Sequence, residues 1–326
     1  MKAIGISSFG GPDVLKLAAW PMPEPRKGEV VIRVEAAGVS RADTMQRRGH
    51  YPPPPGASDI PGLDVAGTIY AVGAGVREYS AGDAVCAIVA GGGYAEFCAA
   101  PALQVLPIPQ GWTPVEAATL PENLFTVFDN LITRAGLEKE ETLLAHGGTS
   151  GIGSMAIMLA RAWGATILAT AGDSRKCEAC IDLGAQHAIN YKEQDFVDEV
   201  KRLTGGRGVD VILDLVGGSY LERNLEALAL EGRISVVATL GGRTGQLDVA
   251  KLMYRRARVM GSTMRIRSPE QKGEIARRLR ERVWPLLPAK EPIRPLIDST
   301  FPLAEAAAAH ERLESGEHIG KIVLVP

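Results

Sequence analysis

The spacing of hydrophobic positions changes near Glu141. Before it, short runs rich in β-branched residues, EVVIRVEAAGV, DVAGTIYAVG and DAVCAIVAGGGYAEFCA, are cut apart by glycine and proline. That is the texture of a β-rich domain with tight turns. WPMPEPRKGE and YPPPPGASDIPG are too short for linkers and read as rigid surface loops, the second long enough to line a cleft. From Glu141 onward, strand-like and helix-like runs alternate: TLLAH, GSMAIMLARAW, ATILATA, DSRKCEACIDLG, HAINY, DFVDEVKRLTG, VDVILDLV, SYLERNLEALA and RISVVATL. Continuous apolar strands joined by amphipathic helices predict a doubly wound parallel sheet covered on both faces. RRARVMGST, residues 255–263, reads as an edge strand after the last βα units. The tail, SPEQKGEIARRLRERVWPLL, IRPLIDSTFPL, AEAAAAHERLESG and KIVLV, is too small to fold alone and is expected to return to the first domain.

A chain of 326 residues that is 46% hydrophobic accommodates two cored domains. With 36 basic against 38 acidic side chains, charge gives no reason to expect nucleic acid or a membrane surface as principal partner. No run of about 18 apolar residues occurs, so no bilayer span is expected. Cys86, Cys98, Cys177 and Cys180 are too few for a disulfide scaffold, and MKAIGISSFGG lacks the regions of a signal peptide, which points to a reduced, cytoplasmic location.

HGGTSGIG joins a predicted strand to a predicted helix. Gly148, Ser150 and Gly153 stand at the three positions of G-x-G-x-x-G, with serine in the middle and Gly151 beside it. A second strand, ATILATA, completes the βαβ unit of a dinucleotide turn, in which the helix N-terminus holds phosphates. The turn also resembles that of short-chain dehydrogenases, which pair it with Tyr-x-x-x-Lys. None of Tyr51, Tyr70, Tyr79, Tyr94, Tyr191, Tyr220 and Tyr254 has lysine four residues later, so that reading is rejected. The second strand runs into ATAGDSRK. Gly172 leaves room for a 2′-phosphate, and Ser174, Arg175 and Lys176 supply a hydroxyl and two cations. Asp173 either caps the next helix or serves the ribose hydroxyls of NADH. NADPH is the expected cofactor, with NADH as the alternative.

No metal site is expected. A zinc dehydrogenase needs thiolate and imidazole ligands in the first domain, where Cys86 and Cys98 are isolated and His50 stands alone. Cys177 and Cys180 fall on a predicted helix without a second pair and read as small apolar residues. His146 reads as structural; His187, His310 and His318 lie near predicted element ends without a motif.

The order of parts, with AAGVSRADTMQRRGHYPPPPGASDIPGLDVAG, GDAVCAIVAGGGYAEF, LPENLFTVFDNL, AHGGTSGIG, GAQHAINYKEQDF, GRISVVATLGG and the ending HIGKIVLVP, resembles the medium-chain dehydrogenase/reductase superfamily. The resemblance is to its zinc-free quinone oxidoreductase (zeta-crystallin-like) branch, nearest the stress-inducible NADPH quinone oxidoreductase type. It implies an α/β fold with a GroES-like β-rich catalytic domain, residues 1–122 and 264–326, and a Rossmann NADPH-binding domain, residues 123–263. In zinc-dependent relatives a cysteine falls where Ser40 stands and G-H-E where Gly62, Leu63 and Asp64 stand.

Carried over by position, the resemblance implies that Ser174, Lys176 and Tyr191 hold the 2′-phosphate, beside Gly172. Thr149, Ser150, Gly151, Ile152 and Gly153 would cradle the pyrophosphate, Thr126 would sit near the nicotinamide, and Leu240 and Gly241 would pass along the cofactor. Met264, Arg265, Arg267 and Lys321 are further cofactor candidates. Ser40, Asp43 and Tyr51 would line a substrate cleft between the domains, with Tyr51 or water as proton donor. Many relatives carry asparagine at the position of Ser40 and tyrosine at that of Met45. The implied activity is NADPH-dependent, zinc-independent reduction of quinones, ortho-quinones favoured, by a homodimer. An enone or alkenal double-bond reductase and a low-turnover NADPH-binding sensor or structural protein are the alternatives.

Overall fold

The computed structural model describes all 326 residues, which divide into two compact units. One comprises residues 1–125, 264–291 and 295–326; the other comprises residues 126–263 and 292–294.

The first unit is organised around one long strand, Glu29–Val39, buried along most of its length. It pairs antiparallel with Asp64–Val72 on one side. On the other side its first half pairs with Phe97–Pro101 and its last residues with Lys321–Val325. The C-terminal strand thus completes a sheet begun near the N-terminus, and Ile297–Pro302 extends it in parallel. Val30, Ile32, Val34, Ile69, Val85, Ile322 and Leu324 form the core against the Ala306–Glu314 helix. Lys2–Ile6 and Leu15–Ala19 pair as a separate two-stranded sheet that the sequence pattern did not foretell. Four of the five residues in Leu15–Ala19 face solvent, so the strand has no buried apolar stripe to mark it.

The second unit is a six-stranded parallel sheet in the order His187–Asn190, Thr166–Ala171, Thr142–Ala145, Val209–Asp214, Leu228–Val236, Arg258–Gly261. Counted along the chain this is the doubly wound order of dinucleotide folds, which reverses beside Thr142–Ala145, the strand that precedes the glycine turn. The Gly151–Trp163 helix stops at Gly164, whose φ is +79°. Before the sheet, Phe128–Arg134 adopts a seven-residue π-helix. Inside it the buried Asn130 Oδ1 accepts from the hydroxyls of Ser235 and Ser262, each at 2.9 Å, so the irregular turn is pinned to the sheet by side chains distant in sequence.

Candidate functional site

The glycine turn belongs to the second unit and is tightly built. A Cβ on Gly153 would lie 2.1 Å from the Gly147 carbonyl oxygen, and one on Gly148 would lie 2.6 Å from Cys180 Sγ. Cys180 therefore packs beneath the turn, and burial pushes its thiol up to about 12, which agrees with its apolar reading, whereas Cys177 is only half-buried. Ser150 Oγ donates to Gly147 O at 2.8 Å and accepts from Gly153 N at 3.0 Å, capping the helix. Thr149 is buried beside it, and Gly151 and Ile152 open the helix, half-buried. His146 is structural, as expected: Asn224 Oδ1 at 2.8 Å accepts from its Nε2, and the Thr170 hydroxyl lies 3.1 Å from Nδ1. Burial lowers its pKa to about 4, so the ring is neutral.

At the end of Thr166–Ala171 the structure corrects one detail. The room left by Gly172 is taken by the Tyr191 phenol, whose Oη lies 2.8 Å from where a Cβ would be, with Lys192 Cε behind it. Gly172 seats a tyrosine rather than a phosphate directly. Asp173 is the helix cap, accepting from Lys176 N at 2.9 Å, so the capping alternative holds. Ser174, the next residue, is exposed, as is much of Tyr191. Farther along, Gly241 packs against Val216 and Ser219 while Leu240 faces solvent. Thr126 is buried, yet its Oγ1 has no hydrogen-bond partner. A glycine cradle, a capped helix N-terminus and an orphaned hydroxyl fit a pyridine dinucleotide in kind.

The first unit carries a buried ionic cluster. Gly38 sits opposite Asp64 in one ladder and Val323 in the other. A Cβ there would meet Lys321 Cε at 2.7 Å, Asp64 Oδ2 at 2.8 Å and Ala118 O at 2.7 Å. Through this gap Lys321 Nζ reaches Asp64 Oδ2 and Ser40 Oγ, each at 2.7 Å, and approaches Glu122 Oε2 at 3.7 Å. Ser40 Oγ donates to Glu122 Oε2 at 3.5 Å, and Asp64 Oδ1 accepts the Glu122 backbone N–H. Burial opposes the Lys321 charge, but Asp64 and Glu122 more than offset it and hold the ammonium above its ordinary value. Burial raises Asp64 against the pull of Lys321, and raises Glu122 to about 7.

Lys321 thus stands among the oxygens of Ser40, Asp64 and Glu122, and the histidine position of the G-H-E motif is taken by the apolar Leu63. Its ammonium would repel a divalent cation, and the donors are hydroxyl and carboxylate rather than thiolate and imidazole. The residues present do not fit zinc.

Asp43 is no cleft residue. It is fully buried and accepts from Ser40 N at 2.8 Å, Gly62 N at 3.0 Å and Tyr94 Oη at 3.1 Å, clamping together the two segments that carry Ser40 and Asp64. Burial raises its carboxyl to about 6. Behind it Tyr94 Oη meets His310 Nε2 at 3.1 Å, and Arg47 Nη1 meets His310 Nδ1 at 3.2 Å. Because arginine only donates, Nδ1 is the acceptor, Nε2 carries the proton and the tyrosine hydroxyl points to Asp43. Burial, and then Arg47, push His310 down to about 3. His310 lies inside the last helix rather than near an element end.

Two more candidates are committed to structure. Arg265 donates to Ala90 O, Tyr51 O and Gln46 Oε1 at 2.8, 2.8 and 2.7 Å, bracing the proline-rich loop rather than a cofactor. Lys321 is committed to Asp64 and Ser40. Met264 is buried beside Arg265, and Arg267 is half-buried. Tyr51 is half-buried with the Arg265 guanidinium 5.4 Å from its ring centroid, and burial raises its phenol above the ordinary value. A cavity of about 640 Å³, lined by Pro54, Ser58, Gln104, Arg267 and Lys272 among others, lies in the same unit but is lined by none of Ser40, Tyr51 and Glu122. Glu122 was not singled out from the sequence, although an acid within the apolar run LPENLFTVF was a visible signal.

The family model for the alcohol dehydrogenase GroES-like domain matches residues 26–110, and that for the zinc-binding dehydrogenase matches residues 151–279. The rat quinone oxidoreductase is 33% identical over 331 residues, covering 100% of this chain and 98% of that protein. The crystal structure of Escherichia coli quinone oxidoreductase complexed with NADPH superposes with a TM-score of 0.88 at 28% identity, covering all of both chains. The JamJ enoyl reductase superposes with the same TM-score at 26% identity, covering 99% of this chain and 98% of that one. With this sheet order and full-length likeness, the chain belongs to the medium-chain dehydrogenase/reductase superfamily, in its zeta-crystallin-type quinone oxidoreductase branch.

Proposed function

We propose that this protein is an NADPH-dependent, zinc-independent oxidoreductase that reduces quinones, ortho-quinones in particular. The observation that carries the reading is Lys321, which takes the space between Ser40 and Asp64. Reducing an ordinary ketone calls for an electrophile at the developing alkoxide, whereas a quinone becomes an aromatic hydroquinone and needs chiefly to be positioned. The names of the rat relative and the E. coli structure support the same class.

Ser150, Gly151, Ile152 and Gly153, with Thr149, would hold the pyrophosphate; Ser174, Lys176 and Tyr191 would hold the 2′-phosphate; Thr126 Oγ1 would gain the partner it lacks. Bound NADPH supplies a hydride, and the chain supplies orientation, exclusion of water and the proton. Tyr51, its phenol held protonated by burial, would donate a hydrogen bond to a quinone oxygen.

With chelator present, the purified protein is expected to oxidise NADPH in preference to NADH with an ortho-quinone acceptor. Lys176→Ala should raise KM for NADPH by roughly 10- to 100-fold, the loss of a charge-assisted hydrogen bond of about 1.5–3 kcal/mol, and leave KM for NADH nearly unchanged. A preference for NADH would overturn the phosphate assignment. Turnover of enones in place of quinones would favour the second reading, which the enoyl reductase likeness supports.

The Arg258–Gly261 strand ends the second unit's sheet, and Met253, Tyr254 and Val259 are exposed before and along it. We propose that two copies pair these edges about a two-fold axis. A dimer mass by light scattering at micromolar concentration is expected, and a monomer would exclude the pairing. No helix is long and apolar enough to cross a membrane; a cytoplasmic location is part of the same proposal.

A further inference from the structure

We infer that Glu122 holds the proton consumed when the substrate is reduced, and that Lys321, Asp64 and Ser40 set its charge. The inference rests on the quinone reading for its substrate and on the geometry of the cluster for its residue.

Asp43, Asp64 and Glu122 share one buried region with a single ammonium. Lys321 and Asp64 cancel each other in a 2.7 Å pair. Asp43 is committed to two backbone N–H groups and the Tyr94 hydroxyl. Glu122 has weaker company: the Ser40 hydroxyl at 3.5 Å and the already paired ammonium at 3.7 Å. A buried carboxylate without a close counter-charge is unfavourable, so this group takes up a proton. Burial, aided by Asp64 and Asp43 and opposed by Lys321, places its titration at about 7.

Position separates Glu122 from its neighbours. Its side chain is 18% exposed, against 3% for Lys321 and 0% for Asp64. The group best able to gain and lose a proton near neutral pH is also the one that reaches the surface. Tyr51 is the rival donor, but burial holds its phenol above an already high value, so it is better suited to donate a hydrogen bond than to surrender the proton.

The quinone gains two electrons and one hydrogen as hydride from NADPH, and a second hydrogen as a proton from the Glu122 carboxyl. The carboxyl O–H bond breaks as an O–H bond forms on the substrate, giving hydroquinone, NADP⁺ and a Glu122 carboxylate. Water at the exposed edge of Glu122 returns the proton. Asp64 is a positioning residue here: without it Lys321 would be uncompensated, and its field would hold Glu122 ionised.

The decisive measurement is an infrared titration of the cofactor-free protein from about pH 5 to about pH 9. Two protonated-carboxyl bands are expected, one lost near pH 6 from Asp43 and one lost as pH rises through about 7; only the second should be missing in Glu122→Gln, and it should titrate lower in Asp64→Asn. In quinone-dependent NADPH oxidation, the wild-type rate should fall above about pH 7, while Glu122→Gln should be roughly 100-fold slower with that fall abolished. Glu122→Asp should restore the pH dependence, Tyr51→Phe should keep it, and NADPH affinity should stay the same in Glu122→Gln. A carboxylate already ionised at the lowest pH, or an unchanged pH profile in Glu122→Gln, would overturn the assignment. A wild type that titrates as expected but reduces no quinone would discard the substrate and leave Glu122 as the proton holder.

Discussion

Replacing Lys321 with methionine is expected to destabilise the first unit by about 3–5 kcal/mol, because it leaves the Asp64 carboxylate buried without its counter-charge. The ammonium is 3% exposed and Asp64 is 0% exposed, so water cannot take over the lost contact. Lys321 passes directly over Gly38, where a Cβ would lie 2.7 Å from Lys321 Cε and 2.8 Å from Asp64 Oδ2. Removing both partners tests the cause. Asp64→Leu combined with Lys321→Met should recover most of the loss, since apolar groups of similar volume often substitute for a buried pair at little net change. Chemical denaturation followed by fluorescence of Trp20, Trp112 and Trp284, all in the first unit, reads the effect. An unchanged midpoint in the single variant would show that solvent reaches the cluster. Arg277, paired with Glu274 and Glu281 on an open helix face, is the contrast: its removal should leave the midpoint where it was.

What could be read before the structure was local. The Rossmann strands are short apolar runs whose neighbours in the sheet are mostly their neighbours in sequence, and Gly148, Ser150 and Gly153 carry their meaning in their spacing. Asp173 was recognisable as a possible cap because capping is decided within three residues. The ionic cluster was not legible, since Lys321 meets Ser40 across 281 positions and nothing near residue 321 names its partner. Arg265 misled for the same reason. A cation in a loop after the dinucleotide domain reads as an anion binder, yet its acceptors are carbonyls 175 and 214 positions away. The π-helix at Phe128–Arg134 is likewise decided by Ser235 and Ser262, whose hydroxyls reach Asn130 from more than 100 positions downstream. His310 looked idle because its role depends on Arg47 and Tyr94, both contributed by distant segments.

Gly153→Ala is expected to abolish useful NADPH affinity, weakening binding by roughly 100-fold or more. The added Cβ would sit 2.1 Å from the Gly147 carbonyl oxygen and 2.8 Å from Gly148 Cα, distances that only a movement of backbone can relieve. That movement pulls Gly153 N from Ser150 Oγ and Ser150 Oγ from Gly147 O, the two bonds that fix where the helix begins. Loss of the cap accounts for about 0.5–2 kcal/mol. Misdirected N–H donors to a charged phosphate add about 1.5–3 kcal/mol each, and every 1.4 kcal/mol or so is tenfold in affinity. Ser150→Ala removes the cap while leaving the turn room to keep its path, so it should weaken NADPH binding by a smaller factor, roughly 10-fold. The ranking is the test. Fluorescence titration with NADPH should place the wild type first, Ser150→Ala second and Gly153→Ala last, with far-ultraviolet circular dichroism unchanged in all three. Equal affinity in Gly153→Ala would mean that the phosphates are held elsewhere. A Ser150→Ala protein as weak as Gly153→Ala would mean that the serine touches the phosphate itself and does more than cap the helix.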